Sequence, residues 1–157
     1  MSAFCAYAPT EQYADSTKET FFSNLQKAIL KVKKEHPCYK VLVGTDMNAT
    51  IGSDSFGPWS FLGQNNDNLK TNDNGTRLLS LSEECKLFIM NSFYHSKDIH
   101  RHTWYSPTGF TKSFDYFLAE WHLKKLISYC RVYRRATVNY VFRKLLNQVN
   151  LTKILHL

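Results

Sequence analysis

Lys40-Val41-Leu42-Val43-Gly44-Thr45-Asp46-Met47-Asn48-Ala49 is the stretch on which the fold turns. Its apolar run, bracketed by Lys40 and Gly44, opens onto a carboxylate and an amide. Such a run reads as a buried strand, and the polar residues behind it as a turn at the rim of a sheet. Asp46 and Asn48 are two apart, so an extended backbone would direct both side chains to one side. There the acid could accept a proton or hold a cation, and the amide could donate to a phosphate or a water. The same residues also suit an ordinary strand ending in an Asx-rich turn. The stretch alone leaves both readings open.

Upstream, Phe4-Cys5-Ala6-Tyr7-Ala8 reads as a strand ended by Pro9. A core-like strand this early suggests further chain ahead of residue 1. Ser16-Thr17-Lys18-Glu19 matches a capping box. Phe21, Phe22, Leu25, Ala28, Ile29 and Val32 then recur at helical spacing, with Lys27, Lys31 and Lys34 on the other face. The helix should stop by His36, ahead of Pro37.

Downstream, residues 49–74 are rich in Gly, Ser, Asn and Asp and read as a long loop, with Trp59 and Phe61 as anchors or, alternatively, facing a ligand. Asn74-Gly75-Thr76 would cap a second helix running to about Lys86, with Leu78, Leu79 and Leu81 inward. Leu87–Met90, His102–Ser106, Phe114–Leu118 and Ile127–Tyr133 read as short strands, the second closed by a turn at Pro107-Thr108-Gly109. Strand, helix, strand, helix and then several strands indicate a layered α/β fold with mostly antiparallel pairing.

The 157 residues suit one domain, and 43% apolar with 15% aromatic content suffices for a packed core. No run is long enough to span a membrane. The N-terminus lacks a basic n-region, so an intracellular location, nucleus or cytoplasm, is expected rather than secretion. Cys5, Cys38, Cys85 and Cys130 show no metal-binding spacing and read as buried thiols of a reducing compartment. The net charge of +7 suits a polyanionic partner. Past Asp115 the only acid is Glu120, whereas Lys124, Lys125, Arg131, Arg134, Arg135, Arg143, Lys144 and Lys153 are basic.

Asp115 lies between Phe114 and Tyr116 in an apolar run. A carboxylate there is costly unless it is paired, most naturally with a histidine or a metal. A half-exposed strand with Asp115 and Phe117 facing out is the plain alternative.

Taken in order, Ala6-Tyr7-Ala8-Pro9-Thr10-Glu11, Val43-Gly44-Thr45-Asp46-Met47-Asn48-Ala49, Asn74-Gly75-Thr76-Arg77-Leu78-Leu79, His102-Thr103-Trp104-Tyr105-Ser106-Pro107, Phe114-Asp115-Tyr116-Phe117-Leu118 and Arg131-Val132-Tyr133-Arg134 carry a resemblance. Residues 1–136 resemble the C-terminal part of an endonuclease/exonuclease/phosphatase domain. Within that family they are similar to the endonuclease domains of non-LTR retrotransposons and to craniofacial-development-protein-2-like sequences. Residues 137–157 form a divergent basic and apolar tail.

The resemblance implies a partial four-layer α/β sandwich of the DNase I type with two helices, and metal-dependent phosphodiester hydrolysis. Asp46 would align or deprotonate the attacking water, and Asn48 would hold the phosphate and that water. Tyr7 would lie beside the scissile phosphate, and Asp115 would orient a histidine. Asn74, Thr103 and Trp104 would contact substrate, with Thr103 also able to support the site. Mg or Mn would be the cofactor, with its protein ligands unassigned, and nucleic acid, specifically DNA, the partner. No membrane partner is implied.

Three departures accompany the resemblance. The family's early Asn and metal-binding Glu are expected ahead of this chain. None of His36, His95, His100, His102, His122 or His156 follows an Asp, so the family's Ser-Asp-His motif is missing. Thr45 stands between Gly44 and Asp46, where the family has Gly-Asp directly. The expectation is therefore an endonuclease-like domain fragment, impaired or inactive alone, or else a non-catalytic nucleic-acid-binding remnant. Either could associate through an exposed sheet.

Overall fold

The computed structural model describes residues 1–55, 61–97 and 100–132. Trp59, Tyr133, the boundary at residue 136 and the 137–157 tail lie outside them. The chain enters on Ser2–Tyr7 (β1), crosses over through Asp15–Glu35 (α1) and returns on Val41–Asp46 (β2). β1 and β2 are parallel, which requires a long crossover, and α1 supplies it. After Asp73–Cys85 (α2) come Phe88–Ile89 (β3), Trp104–Tyr105 (β4), Thr111–Lys112 (β5), Asp115–Ala119 (β6) and Trp121–Lys124 (α3). The main sheet has the order β1-β2-β6-β3, with β6 antiparallel to both of its neighbours. β4 and β5 form a separate hairpin. The expected α/β class stands, with the parallel β1–β2 pair beside antiparallel ones in the main sheet and with α3 added to the two long helices.

Strand alternation sorts the core onto two faces. Val41, Val43, Tyr116 and Leu118 join Phe22, Ile29, Leu78, Leu79 and Leu81 in the cluster under α1 and α2. Leu42, Phe117 and Ala119 join Met90, Leu123, Ile127 and Cys130 on the opposite face. Each buried Val, Leu, Ile, Phe or Met among them contributes roughly 1.5–3 kcal/mol by leaving water. Two ion-pair staples fasten the helices. Lys18, itself buried, bridges Asp15 at 3.0 Å and Asp73 at 2.7 Å. Lys33 joins α1 to Glu120 at 3.0 Å and to the Cys85 carbonyl at 2.7 Å.

Several local expectations shift. The capping box is not made: α1 starts at Asp15 after Ala14, and Asp15 turns to Lys18 instead. Ala28 is exposed although it lies within the helical stripe. β2 begins with the apolar run at Val41 and continues past it to Asp46; Tyr39 lies outside it and stacks on His36 at 4.8 Å. The cap of α2 is Asn72, whose side chain accepts from Gly75 N, so Asn74 sits inside the first turn. The described parts of the long loop, residues 49–55 and 61–72, carry a 3-10 turn at Ser53–Ser55 and a bridge between Gly52 and Asp67. The described part of the expected last strand, residues 127–132, adds no strand to the main sheet and has only a bridge at Cys130, while Ile127 and Cys130 join the cluster of Phe117. Only Cys85 and Cys130 are buried; Cys5 and Cys38 are exposed.

Candidate functional site

β2 delivers Asp46 to the rim as its last residue, with Tyr7 of β1 on one side and Asp115 of β6 on the other. The register pairs Tyr7 with Asp46 and Asp46 with Asp115. Directly paired residues share a face. Asp46 alternates with Leu42, and Asp115 with Phe117 and Ala119, which places both acids on the face away from α1 and α2. Phe4 packs against the helix-side core, so Tyr7, three residues on, belongs to that same outer face. Tyr7 is 63% exposed and Asp115 only 6% exposed, so the row runs from solvent into the body of the sheet. Every residue of β6 is buried, which removes the half-exposed-strand reading of Asp115.

Asn48 meets Asp46 by a different route from strand alternation. Its φ of +46° is left-handed, a conformation Asn tolerates, and it ends the extended run. The Asn48 backbone N–H then donates to Asp46 Oδ1 at 3.1 Å. Its side-chain Nδ2 donates to the Ala8 carbonyl at 2.8 Å, tying the turn to the exit of β1. The amide has a second N–H for another acceptor.

Asn74 lies behind the rim and is fully buried. Its Nδ2 reaches the carbonyls of Pro9 at 2.8 Å, Met47 at 3.2 Å and Asn48 at 3.4 Å. It is thus a clamp that holds the ends of β1 and β2 together. Glu11 accepts from Asn74 N at 2.8 Å, a carboxylate on the first turn of α2 where the helix dipole favours it. Asn72 adds a bond to the Asn48 carbonyl at 3.2 Å. The Asn72 role was readable from the preference of Asn for helix caps; that of Glu11 had no local signal.

Thr103 acts through the backbone. Its hydroxyl accepts from Phe114 N at 2.9 Å and Asp115 N at 3.2 Å, which fixes the start of β6. Asn91 continues where β3 stops, accepting from Phe117 N at 2.7 Å and donating to the Asp115 carbonyl at 3.3 Å. Buried Asp67 is a third support. It accepts from Ser113 N at 3.1 Å and lies 3.3 Å from His102 Nε2, holding the residues just before Thr103 and Asp115. Neither Asn91 nor Asp67 stands out in the sequence, since their partners are 24 or more residues away. Trp104 is 41% exposed on the hairpin, beside exposed Tyr105 and Phe110. Burial drives the Tyr116 phenol far above its ordinary pKa, so it serves as a neutral bridge between Ile51 N and the Ala49 and Ser113 carbonyls.

Among the described residues, no group of three or more His, Cys, Asp or Glu gathers as a metal site. No helix of the described residues is long and apolar enough to cross a membrane.

No protein-family model matches the chain, and no curated protein matches it. Among solved structures it is similar to the endonuclease domain of TRAS1, a telomere-specific non-LTR retrotransposon. The TM-score is 0.48 and the identity 16%, over 73% of this chain. The chain spans 45% of that domain, less than half its length. A likeness of this degree assigns neither a function nor a site.

Proposed function

We propose that Tyr7, Asp46 and Asp115, with Asn48 at the rim, are an endonuclease-type phosphodiester-hydrolase site that is impaired in these 157 residues alone. The observation that carries the reading is the register: residues 39 and 69 positions apart fall on Asp46 and its row. In this reading Asp46 takes the proton of the attacking water, and the second N–H of Asn48 meets the phosphate. The exposed phenol of Tyr7 lies beside that phosphate, and Asp115 orients a histidine. Thr103 and Asn74 hold the site, and Trp104 meets substrate at its edge.

Mg takes one or two carboxylates from many proteins, and waters and phosphate complete its shell. Mg or Mn at the rim beside Asp46 would neutralise phosphate charge, with Asp115 left to its histidine. The impairment lies in the absent Ser-Asp-His motif, since none of the six histidines follows an Asp. His36 stacks on Tyr39, His100 contacts the Val132 carbonyl, and His102 lies on Asp67. His122 sits on α3, beyond the far end of β6.

The test is nicking of supercoiled plasmid by the purified chain in Mg. The expected result is no nicking above the protein-free control. Nicking lost in Asp46→Ala would overturn the impairment while keeping the site. Nicking retained in Asp46→Ala would overturn the site itself.

A second reading has its own support. Tyr7, Trp104, Tyr105 and Phe110 expose aromatic surface on a chain of net charge +7. Non-catalytic nucleic-acid binding at this rim predicts retention on duplex DNA that weakens steeply with salt. Equal retention at low and high salt would count against it.

A further inference from the structure

The far end of the sheet carries an aromatic cluster that the hydrolase reading does not use. Phe88 of β3 pairs with Ala119, the last residue of β6, whereas Asp115 begins that strand. The cluster is therefore about 13 Å along the strand from the rim. Phe88 contacts Trp121 at 4.6 Å, Phe61 at 4.9 Å and Phe93 at 5.9 Å between ring centroids. Phe93 and Trp121 are 5.8 Å apart. Trp121 is 44% exposed, and the three Phe rings are half-buried.

Cations sit on these rings. Lys124 Nζ lies 4.2 Å from the Trp121 centroid and 4.8 Å from that of Phe93. Lys86 Nζ lies 5.5 Å from the Phe61 centroid. His122 and Lys125, exposed on and just after α3, add positive or titratable groups. The carboxylates nearby in sequence are Glu120, Glu83 and Glu84. Glu120 is neutralised by Lys33 at 3.0 Å. Glu83 and Glu84 are exposed on the last turn of α2, on the Lys86 side only.

We infer that this cluster is a second contact surface whose partner is single-stranded nucleic acid. The charge complementarity is direct, because the ammonium groups lie over faces of Trp121, Phe93 and Phe61, so a base stacked on an open part of the cluster would have a cation close by for its phosphate. Partly exposed rings offer surface to bases, and lysines offer charge to the backbone. A duplex keeps its base faces internal and could use only the lysines. An acidic peptide would match the charge and leave the rings without a stacking partner. The surface needs no hydrolysis and shares no residue with the rim, so it stands or falls separately from the proposed function.

The probe is a fluorescein-labelled oligothymidylate, read by anisotropy with the full chain at several salt concentrations. Trp121→Ala should weaken binding about tenfold. Lys124→Glu leaves every ring in place; it should weaken binding several-fold and flatten the salt dependence. Lys27→Glu, the same charge change on the exposed face of α1, should stay within about twofold of the parent. Far-UV circular dichroism and urea unfolding establish that each variant is folded; if Trp121→Ala is not, Lys124→Glu against Lys27→Glu decides. The inference fails if Lys27→Glu weakens binding as much as Lys124→Glu. It also fails if a duplex of equal length binds as tightly, if polyglutamate displaces the oligonucleotide as well as unlabelled oligothymidylate does, or if no binding is seen.

Discussion

The two faces of the sheet are built on different principles. Under α1 and α2 the contacts are apolar side chains at helical spacing, fastened by the Lys18 bridge between Asp15 and Asp73. On the other face a smaller apolar cluster around Phe117 gives way, within two residues along β6, to the acid of the rim. One face is a continuous core. The other is a core at one end and a polar row at the other, held by side-chain bonds to backbone. The backbone around the buried carboxylate is fixed from several sides, by Thr103, Asn91 and the Asp67 group.

Neighbouring residues of β6 test whether both faces are truly packed. Leu118 is on the helix side and Phe117 on the other, and both are almost wholly buried. Leu118→Ala and Phe117→Ala should each cost about 3–4 kcal/mol in urea unfolding, the largest effects expected here. A loss below about 1 kcal/mol for Phe117→Ala alone would break the comparison, by showing that the second cluster is not a core.

Asn74 sharpens the contrast at the next level of effect. Asn74→Ala removes an amide that serves three carbonyls and leaves those acceptors in a buried place. A stability loss of about 2 kcal/mol follows from the orphaned groups. Asn74→Asp should recover little, since a carboxylate cannot donate to carbonyls. If Asn74→Ala proved neutral in stability, the clamp would be refuted and a direct contact with substrate favoured.

The helix-side face was largely legible in the sequence, and the rim only in part. Phe22, Ile29 and Leu78 announce themselves by spacing, because helical periodicity is a local signal. Asp46 and Asn48 were singled out by alternation, yet they meet through a left-handed turn that alternation does not describe. The row of Tyr7, Asp46 and Asp115 depends on strand register, a non-local choice that no short window contains. Asn74 was legible as a residue of interest; its place behind the rim was not, because the cap fell on Asn72. Asn91 and Asp67 remained silent for the same reason: their work is done on backbone distant in sequence.

The smallest expected effect concerns the helix-side staple and its dependence on pH. Hydrogen bonds from Lys18 first, and then from Arg77, hold the Asp73 carboxyl below its ordinary value of 3.8. Its ionised form is thus favoured in the folded chain. A depressed acid contributes stability that is fully present above its unfolded value and is lost as pH falls through its folded value. The window therefore opens near pH 4 and extends downward. Asp73 is 42% exposed, so water screens the pair and the contribution is held to a few tenths to about 1 kcal/mol. Asp73→Asn should lower stability by that amount at pH 7 and lessen the decline between about pH 4 and pH 2. Stability of the parent and of Asp73→Asn, measured in urea at pH 7, 4 and 3, gives the comparison. Parallel declines in the two proteins would show that the helix-side staple is not the source of the acid sensitivity.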